Sequence, residues 1–304
     1  LLKRANAQNR CYCEAVNKKG GVKMEEKKSF KDARQLQDEE IKKKLSRIKH
    51  KIMVMSGKGG VGKSSVAAYL AILLSKKGYK VGLMDIDLHG PSIPRLLGLK
   101  SGIIPAPTPG KAFPARLSEN LEVISIEVLM GEDKDIATIW RGPIKIGVIR
   151  QFIADIEWSD PDFLIIDSPP GTGDEPLTVA QTISDSKAII VTTPQEISLA
   201  DVRKSINFCQ KVNMQILGII ENMSGFVCPY CGKEIDLFKK EGGEQVAKAK
   251  GLTFLGRLPI DPKVVEAGDR GDTSFLDDKS LTFTKAISEI ADKVEQLCVK
   301  KSIH

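Results

Sequence analysis

The stretch MSGKGGVGKSSVA, from Met55 to Ala67, satisfies two phosphate-binding fingerprints at once. Gly57-Lys58-Gly59-Gly60-Val61-Gly62 fits G-x-G-x-x-G, the dinucleotide pattern. The same Gly57 opens G-x-x-x-x-G-K-S, the P-loop, which closes on Lys63-Ser64. The dinucleotide reading has support. The loop lies between an apolar run and a helical pattern, and Asp85 ends the next apolar run at the roughly 20-residue spacing that reading requires. Three features overrule it. Lys63-Ser64 supply a charge for β- and γ-phosphates and a hydroxyl for Mg²⁺, which a dinucleotide does not need. Asp85 is followed by Asp87 in MDIDLHGPS, which a ribose contact leaves unexplained. FLIIDSPPG is an apolar strand ending in Asp167, the arrangement that orders a metal's water shell beside a P-loop. The loop is therefore expected to bind a nucleoside triphosphate with Mg²⁺.

Outward from the loop, short apolar runs alternate with helical patterns. The expected strands are Lys51–Met55, Lys80–Met84, Leu121–Ile126, Phe163–Ile166, Ala188–Thr192, Gln215–Ile220 and Thr253–Gly256. Helical periodicity fills Ser64–Lys76, Ile144–Ile156, Ala200–Val212, Gly243–Lys250 and Leu281–Val299. Unbroken Val/Ile/Leu runs between helices predict an α/β fold, a mostly parallel sheet with helices on both faces. The Pro-rich stretch Pro105–Pro114 reads as a surface excursion. Leu281, Phe283, Ile287, Ile290, Val294 and Leu297 form an ordinary core-facing stripe.

The charge is uneven. Residues 1–51 hold 16 Lys and Arg against 7 Asp and Glu, while the remainder holds 30 against 32 and is close to neutral. A basic patch for nucleic acid is one reading of the first segment. Glu and Asp interleave with its lysines from Met24 to Lys51, however, so a solvated, partly helical arm is expected, with sparse apolar positions at Phe30, Leu36, Ile41, Leu45 and Ile48. Residues 1–50 are thus read as a basic extension, partly disordered and partly helical, and 51–300 as the ATPase domain. Met24 is a candidate alternative start. No apolar run approaches the roughly 18–20 residues that span a bilayer, and no secretory signal core is present, so the expected location is cytoplasmic. Neither a membrane nor a nucleic-acid partner is expected.

Six cysteines in such a chain point to thiol or metal chemistry before disulfides. Cys209 and Cys298 lie in helical patterns and read as small core residues. Cys228-Pro229-Tyr230-Cys231-Gly232 is a C-x-x-C knuckle, in a loop at 228–231. Two thiolates are half of what a structural zinc or an iron–sulfur cluster normally takes, and two copies across a two-fold axis would complete either set. Cys11-Tyr12-Cys13 is read as an incidental tail feature.

Lys58, a second lysine at the front of GKGGVGKS, resembles the deviant P-loop class that includes MinD and ParA proteins and the nitrogenase iron protein. That resemblance implies a nucleotide-sandwich homodimer in which Lys58 reaches the partner's phosphates. IWRGPIKIGVIRQFIADIEWSDPDFLIIDSPPGTGDEPLT, TTPQEISLADVRKSINF, GIIENMSGFVCPYCGK and GRLPIDP together resemble the Mrp-type branch, over about Lys51 to Leu276. Members of that branch are ATP-binding iron–sulfur cluster carriers. The resemblance implies a slow ATPase whose Cys228 and Cys231 pairs hold a [4Fe–4S] cluster between two subunits, for transfer to apo-proteins, with a cluster assembly scaffold as a further partner. Gly57, Lys58, Gly59, Gly60, Val61, Gly62, Lys63, Ser64 and Ser65 are the expected phosphate cradle, with Ser64 on Mg²⁺ and Asp167 acting through its water. Asp87 is expected to orient the attacking water, with Asp85 in support. Gly171 is expected to give a backbone N–H to the γ-phosphate, and Asn222 and Pro259 to border the adenine. The guanine-reading N/T-K-x-D element is absent, which favours ATP. The alternative is a MinD/ParA-like positioning ATPase with a structural zinc knuckle. A nitrogenase-like reductase takes its ligands from distant single cysteines, which this pair does not match.

Overall fold

A run such as KIMVM offers water no polar face, so it is stable only where both faces are covered. The computed structural model of the chain describes residues 24–88, 90–99, 104–108, 110–129, 142–227, 231, 233–235 and 242–299. A charged helix, α1 (Met24–Leu45), leads into β1 (His50–Met55), the phosphate loop and α2 (Lys63–Lys76). Next come β2 (Val81–Asp85), the short α3 (Ile93–Leu96), and an antiparallel pair, β3 (Ile104–Pro105) with β4 (Ala112–Phe113). Strands β5 (Ala115–Ser118) and β6 (Leu121–Ser125) precede α4 (Gly142–Asp155), β7 (Phe163–Asp167) and α5 (Asp174–Thr182). Then follow β8 (Lys187–Thr192), α6 (Glu196–Lys211) and β9 (Ile216–Glu221). A second small hairpin, β10 (Phe226–Val227) with β11 (Glu234–Ile235), leads to α7 (Gly242–Ala249) and β12 (Phe254–Arg257). Helices α8 (Pro262–Arg270) and α9 (Thr282–Val299) end the described fold.

Eight strands form one sheet in the order β12-β9-β8-β1-β7-β2-β6-β5. Every neighbouring pair is parallel except β5 with β6. Successive residues of β1 alternate between two cores, as strand geometry requires. Ile52 and Val54 join the cluster built with α2 and α9, and Met53 and Met55 join the one built with α4 and α6. All four are fully buried.

The expected strands are all present within a residue or two, and the mostly parallel sheet is as read. Besides the short α3 and the two-residue strands β3, β4, β10 and β11, three longer elements differ from expectation. β5 adds an antiparallel edge after the Pro-rich stretch, and α5 and α8, nine residues each, were not foreseen. The Pro-rich stretch is only partly an excursion. Ile104 and Phe113 are exposed, but Ala112 is buried and bridges to Ile156.

Residues 41–48, assigned to the extension by composition, bury Ile41, Leu45 and Ile48 against the body, while Leu36 stays 66% exposed. The side chain of Phe30 lies outside the described residues. Lys51, itself buried, donates to the Leu45 and Ile48 carbonyls at 2.8 and 2.6 Å and pairs with Asp185 at 2.9 Å, tying the end of α1 to the sheet. Arg150 on α4 pairs with Asp38, and Lys44 with Glu157. Among the described residues no helix is long and apolar enough to cross a membrane.

Candidate functional site

Parallel strands deliver their C-terminal ends to one edge, where ligands of open α/β sheets bind. Register sets Asp85 of β2 directly beside Asp167 of β7, with Val54 of β1 on the other side of Asp167. The phosphate loop leaves β1 at this edge.

Glycine is required in the loop for two separate reasons. Gly60 and Gly62 both have φ of +76°, in the left-handed region. At Gly57 and Gly62 there is also no room. A Cβ on Gly57 would meet the Asp201 carbonyl oxygen of α6 at 2.4 Å, and one on Gly62 would meet Asn222 Nδ2 at 2.2 Å. Val61, 2% exposed, plugs the loop into the core. The first turn of α2 holds no acidic residue, so its partial positive charge is left for an anion.

Lys63 is buried and its Nζ lies 2.5 Å from Asp167 Oδ1, 3.7 Å from Asp87 Oδ2 and 3.4 Å from Ser64 Oγ. Asp167 is fully buried, and its Oδ2 has no hydrogen-bond partner. An orphan carboxylate oxygen beside a serine hydroxyl at a helix start is the hard-oxygen set that Mg²⁺ takes, so these residues fit the ion. Burial raises the Asp167 carboxyl, and the Lys63 ammonium opposes the rise. Burial, followed by the charge of Asp167, pushes Asp85 up to about 8. Asp85 works inward, accepting the Asp87 and Ile93 N–H groups at 3.1 and 3.3 Å and the Ser125 hydroxyl at 3.0 Å. It therefore shapes the segment that presents Asp87.

Gly171, φ +85°, donates its N–H to the Ser56 carbonyl at 2.8 Å. The amide expected on a γ-phosphate is committed to the protein here and must leave Ser56 to serve one. Lys58 reaches Gln195 Oε1 at 3.4 Å within its own chain. Asn222 gives its side-chain amide to the Val61 carbonyl at 2.9 Å, so it braces the loop from below.

A cavity of about 520 Å³ opens over the loop, in the range of small-ligand pockets. Gly59, Gly60, Gly62, Lys63, Ser64 and Ser65 line one side, with Asp87 beside them. Arg95 and Leu96 of α3 and Gly268 and Asp269 of α8 form the other wall. None of these four was singled out in the sequence; Asn222 and half-buried Pro259 are not in the lining. The one available signal was the Asp261-Pro262 helix start. Asp261 caps α8 by accepting the Lys263 N–H, and that helix carries Gly268 against Leu96.

Cys231 is exposed, in the turn between β10 and β11. Cys228, Cys11 and Cys13 lie outside the described residues. Cys209 and Cys298 are buried, and burial pushes their thiols up to about 12 and about 11, which keeps them protonated. Among the described residues no group of three or more His, Cys, Asp or Glu is arranged to hold a metal ion.

The loop, the paired strand-end aspartates and the parallel sheet define a P-loop nucleotide-binding protein. The chain belongs to the ParA family, matching its description "NUBPL iron-transfer P-loop NTPase" over residues 47–295. It is 50% identical over 262 residues to an iron-sulfur cluster carrier protein of Methanocaldococcus jannaschii, covering 85% of this chain and 90% of that protein. It is likewise 50% identical over 237 residues to a cytosolic Fe-S cluster assembly factor NUBP2 homolog of Dictyostelium discoideum, covering 77% and 89%. Among solved structures, a nucleotide-binding protein of Archaeoglobus fulgidus in complex with ADP superposes with a TM-score of 0.69 at 38% identity, over 82% of this chain and 95% of that one.

Proposed function

We propose that this chain is an ATP-hydrolysing carrier that holds a [4Fe–4S] cluster between two copies of itself and passes it to apo-proteins. The observation that carries this reading is the position of Cys231. It is exposed on a hairpin that follows β9 and begins shortly after Asn222, whose side chain braces the phosphate loop. Cys228 and Cys231 from each copy supply the four thiolates that one cubane takes. The cargo is then a substrate of the dimer, received from an assembly scaffold and delivered to apo iron–sulfur proteins in the cytoplasm. The names of the two relatives support the cargo, and that of the Dictyostelium discoideum relative supports the location.

In the nucleotide half, Lys63 exchanges its pairing with Asp167 for the β- and γ-phosphate oxygens, while the loop amides and the α2 N-terminus hold the rest of the chain of phosphates. Ser64 would ligate Mg²⁺ and the free oxygen of Asp167 would order its water; the ion would supply positive charge to the phosphates. Asp87 orients the attacking water, Lys58 leaves Gln195 for the nucleotide of the other copy, and Gly171 leaves Ser56 for the γ-phosphate. Asn222 and Pro259 border the adenine.

Anaerobic reconstitution tests the cargo. Wild type should be brown with about four iron per dimer, and Cys228→Ala or Cys231→Ala should lose it while Cys11→Ala does not. Stoichiometric zinc without iron uptake would instead favour a positioning ATPase with a structural knuckle.

A further inference from the structure

Glu221 ends β9 fully buried, yet the nucleotide chemistry makes no use of it. Its Oε1 accepts the Ser224 hydroxyl at 2.6 Å and its Oε2 accepts the Gly243 N–H at 2.6 Å. Arg257 Nε stands 3.5 Å from Oε1, and the same guanidinium pairs with Glu244. Ser224 and Gly243 bracket the segment that carries Cys228 and Cys231. One carboxylate therefore holds both feet of the cysteine hairpin. There is little slack in this grip. A Cβ on Gly243 would lie 3.1 Å from Glu221 Oε2 and 3.2 Å from Thr192 Cγ2.

The backbone of the same few residues is bonded in two directions. Toward the hairpin, Leu258 donates to the Glu221 carbonyl at 2.9 Å, Ser224 to Leu258 at 2.9 Å and Ile260 to Gly225 at 2.8 Å, with Phe226 bridging Ile260. Toward the nucleotide, Asn222 donates its N–H to Thr192 at 2.7 Å and its side-chain amide to Val61 of the phosphate loop. A shift of the loop onto phosphates moves Asn222, and the residue next to it is the one gripping the hairpin.

We propose that Glu221 is a positioning residue that transmits nucleotide state to the cysteine hairpin and sets the accessibility of Cys228 and Cys231. This deepens the carrier reading and rests on it for its purpose, though not for its measurement. A buried carboxylate suits the task because charge-assisted hydrogen bonds are short and directional. A glutamine of the same shape turns an amide NH₂ toward a donor and loosens one foot. Adjacency alone does not establish energetic coupling, so the ratio between nucleotide states is what needs measuring.

The experiment uses the full-length, reduced, metal-free chain. Alkylation of the peptide containing Cys228 and Cys231 by iodoacetamide is followed by mass spectrometry, with and without saturating Mg–ADP or a non-hydrolysable Mg–ATP analogue. In wild type the nucleotide should change the rate by about fivefold or more. Glu221→Gln should bind nucleotide with an affinity within about threefold of wild type while its rates with and without nucleotide converge. Ser224→Ala and Gly243→Ala, which disturb one foot each, should give intermediate ratios and carry the test if Glu221→Gln does not fold. A purely structural role would lower thermal stability and leave the ratio intact. Wild-type ratios in folded Glu221→Gln, or in both other variants, would overturn the proposal, as would a ratio of one in wild type. Iron uptake with an unresponsive hairpin overturns this coupling alone. A responsive hairpin without iron uptake overturns the carrier reading alone.

Discussion

Three glycines of the phosphate loop can be replaced by alanine with costs that differ for stated reasons. At Gly59 the backbone is not left-handed and a new Cβ meets nothing within 4 Å, so Gly59→Ala should be neutral or stabilise the nucleotide-free chain by about 0.5 kcal/mol through the unfolded state. At Gly60 the space is equally open but φ is +76°. The left-handed penalty of about 1–2 kcal/mol then outweighs the entropic gain and leaves Gly60→Ala destabilised by about 1 kcal/mol. Gly62 shares that φ, and its Cβ would also lie 2.2 Å from Asn222 Nδ2. Asn222 has to swing away and lose its bond to Val61, which adds about 1 kcal/mol for the bond and more for the buried amide left behind. Gly62→Ala should therefore cost about 2–3 kcal/mol. Equilibrium urea unfolding of the three nucleotide-free variants measures the series. Adding Asn222→Ala to Gly62→Ala should remove the clash, so the double variant should be less destabilised than the two single costs together. A Gly62→Ala no worse than Gly60→Ala, or additive costs in the double variant, would refute the argument that Asn222 braces the loop.

The other site residues carry their own expectations. Lys63→Ala should lose nucleotide binding in calorimetry and also cost the nucleotide-free chain about 3 kcal/mol, because Asp167 is left buried without its cation. Asp87→Ala should keep nucleotide binding but stall phosphate release, and normal turnover would remove Asp87 from its assigned role. Asp85, pushed up to about 8 in the fold, holds its proton above the pH at which the unfolded chain loses it. Its contribution therefore makes nucleotide-free stability fall as pH rises from about 4 to about 8, and Asp85→Asn should flatten that fall in urea midpoints at pH 5.5 and 8. Truncation after His50 should expose the surface under Ile41, Leu45 and Ile48, strip Lys51 of two carbonyl partners and lower the melting temperature; an unchanged melting temperature would refute the packing role of these residues.

What the sequence made legible was what burial dictates on both faces of an element. The six inner strands are largely continuous apolar runs that need cover on both faces. The phosphate loop was legible for a different reason, since a left-handed backbone and close approach leave glycine no substitute at Gly62. Short helices were not readable. α5 carries two acidic residues in nine and α8 few apolar ones, so their stability comes from packing rather than from their own pattern. β5 is a half-exposed edge strand whose apolar alternation, Ala-Arg-Leu-Ser, is only four residues long, too short to give it away. Ile41 and Leu45 of α1 and Ile48 just after it were legible as apolar positions, but their charged surroundings gave no sign that they pack on the body, because long Lys and Arg side chains can cover an apolar seam while keeping their charges in water.

Glu221 shows the same limit at a functional scale. Asp85, Asp167 and Glu221 each close a buried parallel strand at the same edge of the sheet, and the sequence displays all three in the same way, as an acid after an apolar run. Only the first two stand beside phosphate motifs, so only they were read as chemistry. Their environments separate them. Asp167 keeps an unpartnered oxygen next to Lys63 and Ser64, which leaves it available to a cation. Asp85 uses both oxygens on the segment that presents Asp87. Glu221 uses both on Ser224 and Gly243, on either side of a hairpin that carries an exposed thiol. A buried carboxylate with committed oxygens shapes backbone, and one with an oxygen to spare does chemistry. By that criterion one strand-end acid of this sheet keeps an oxygen for a cation and two hold backbone, Asp85 at the segment that presents Asp87 and Glu221 at the cysteine hairpin.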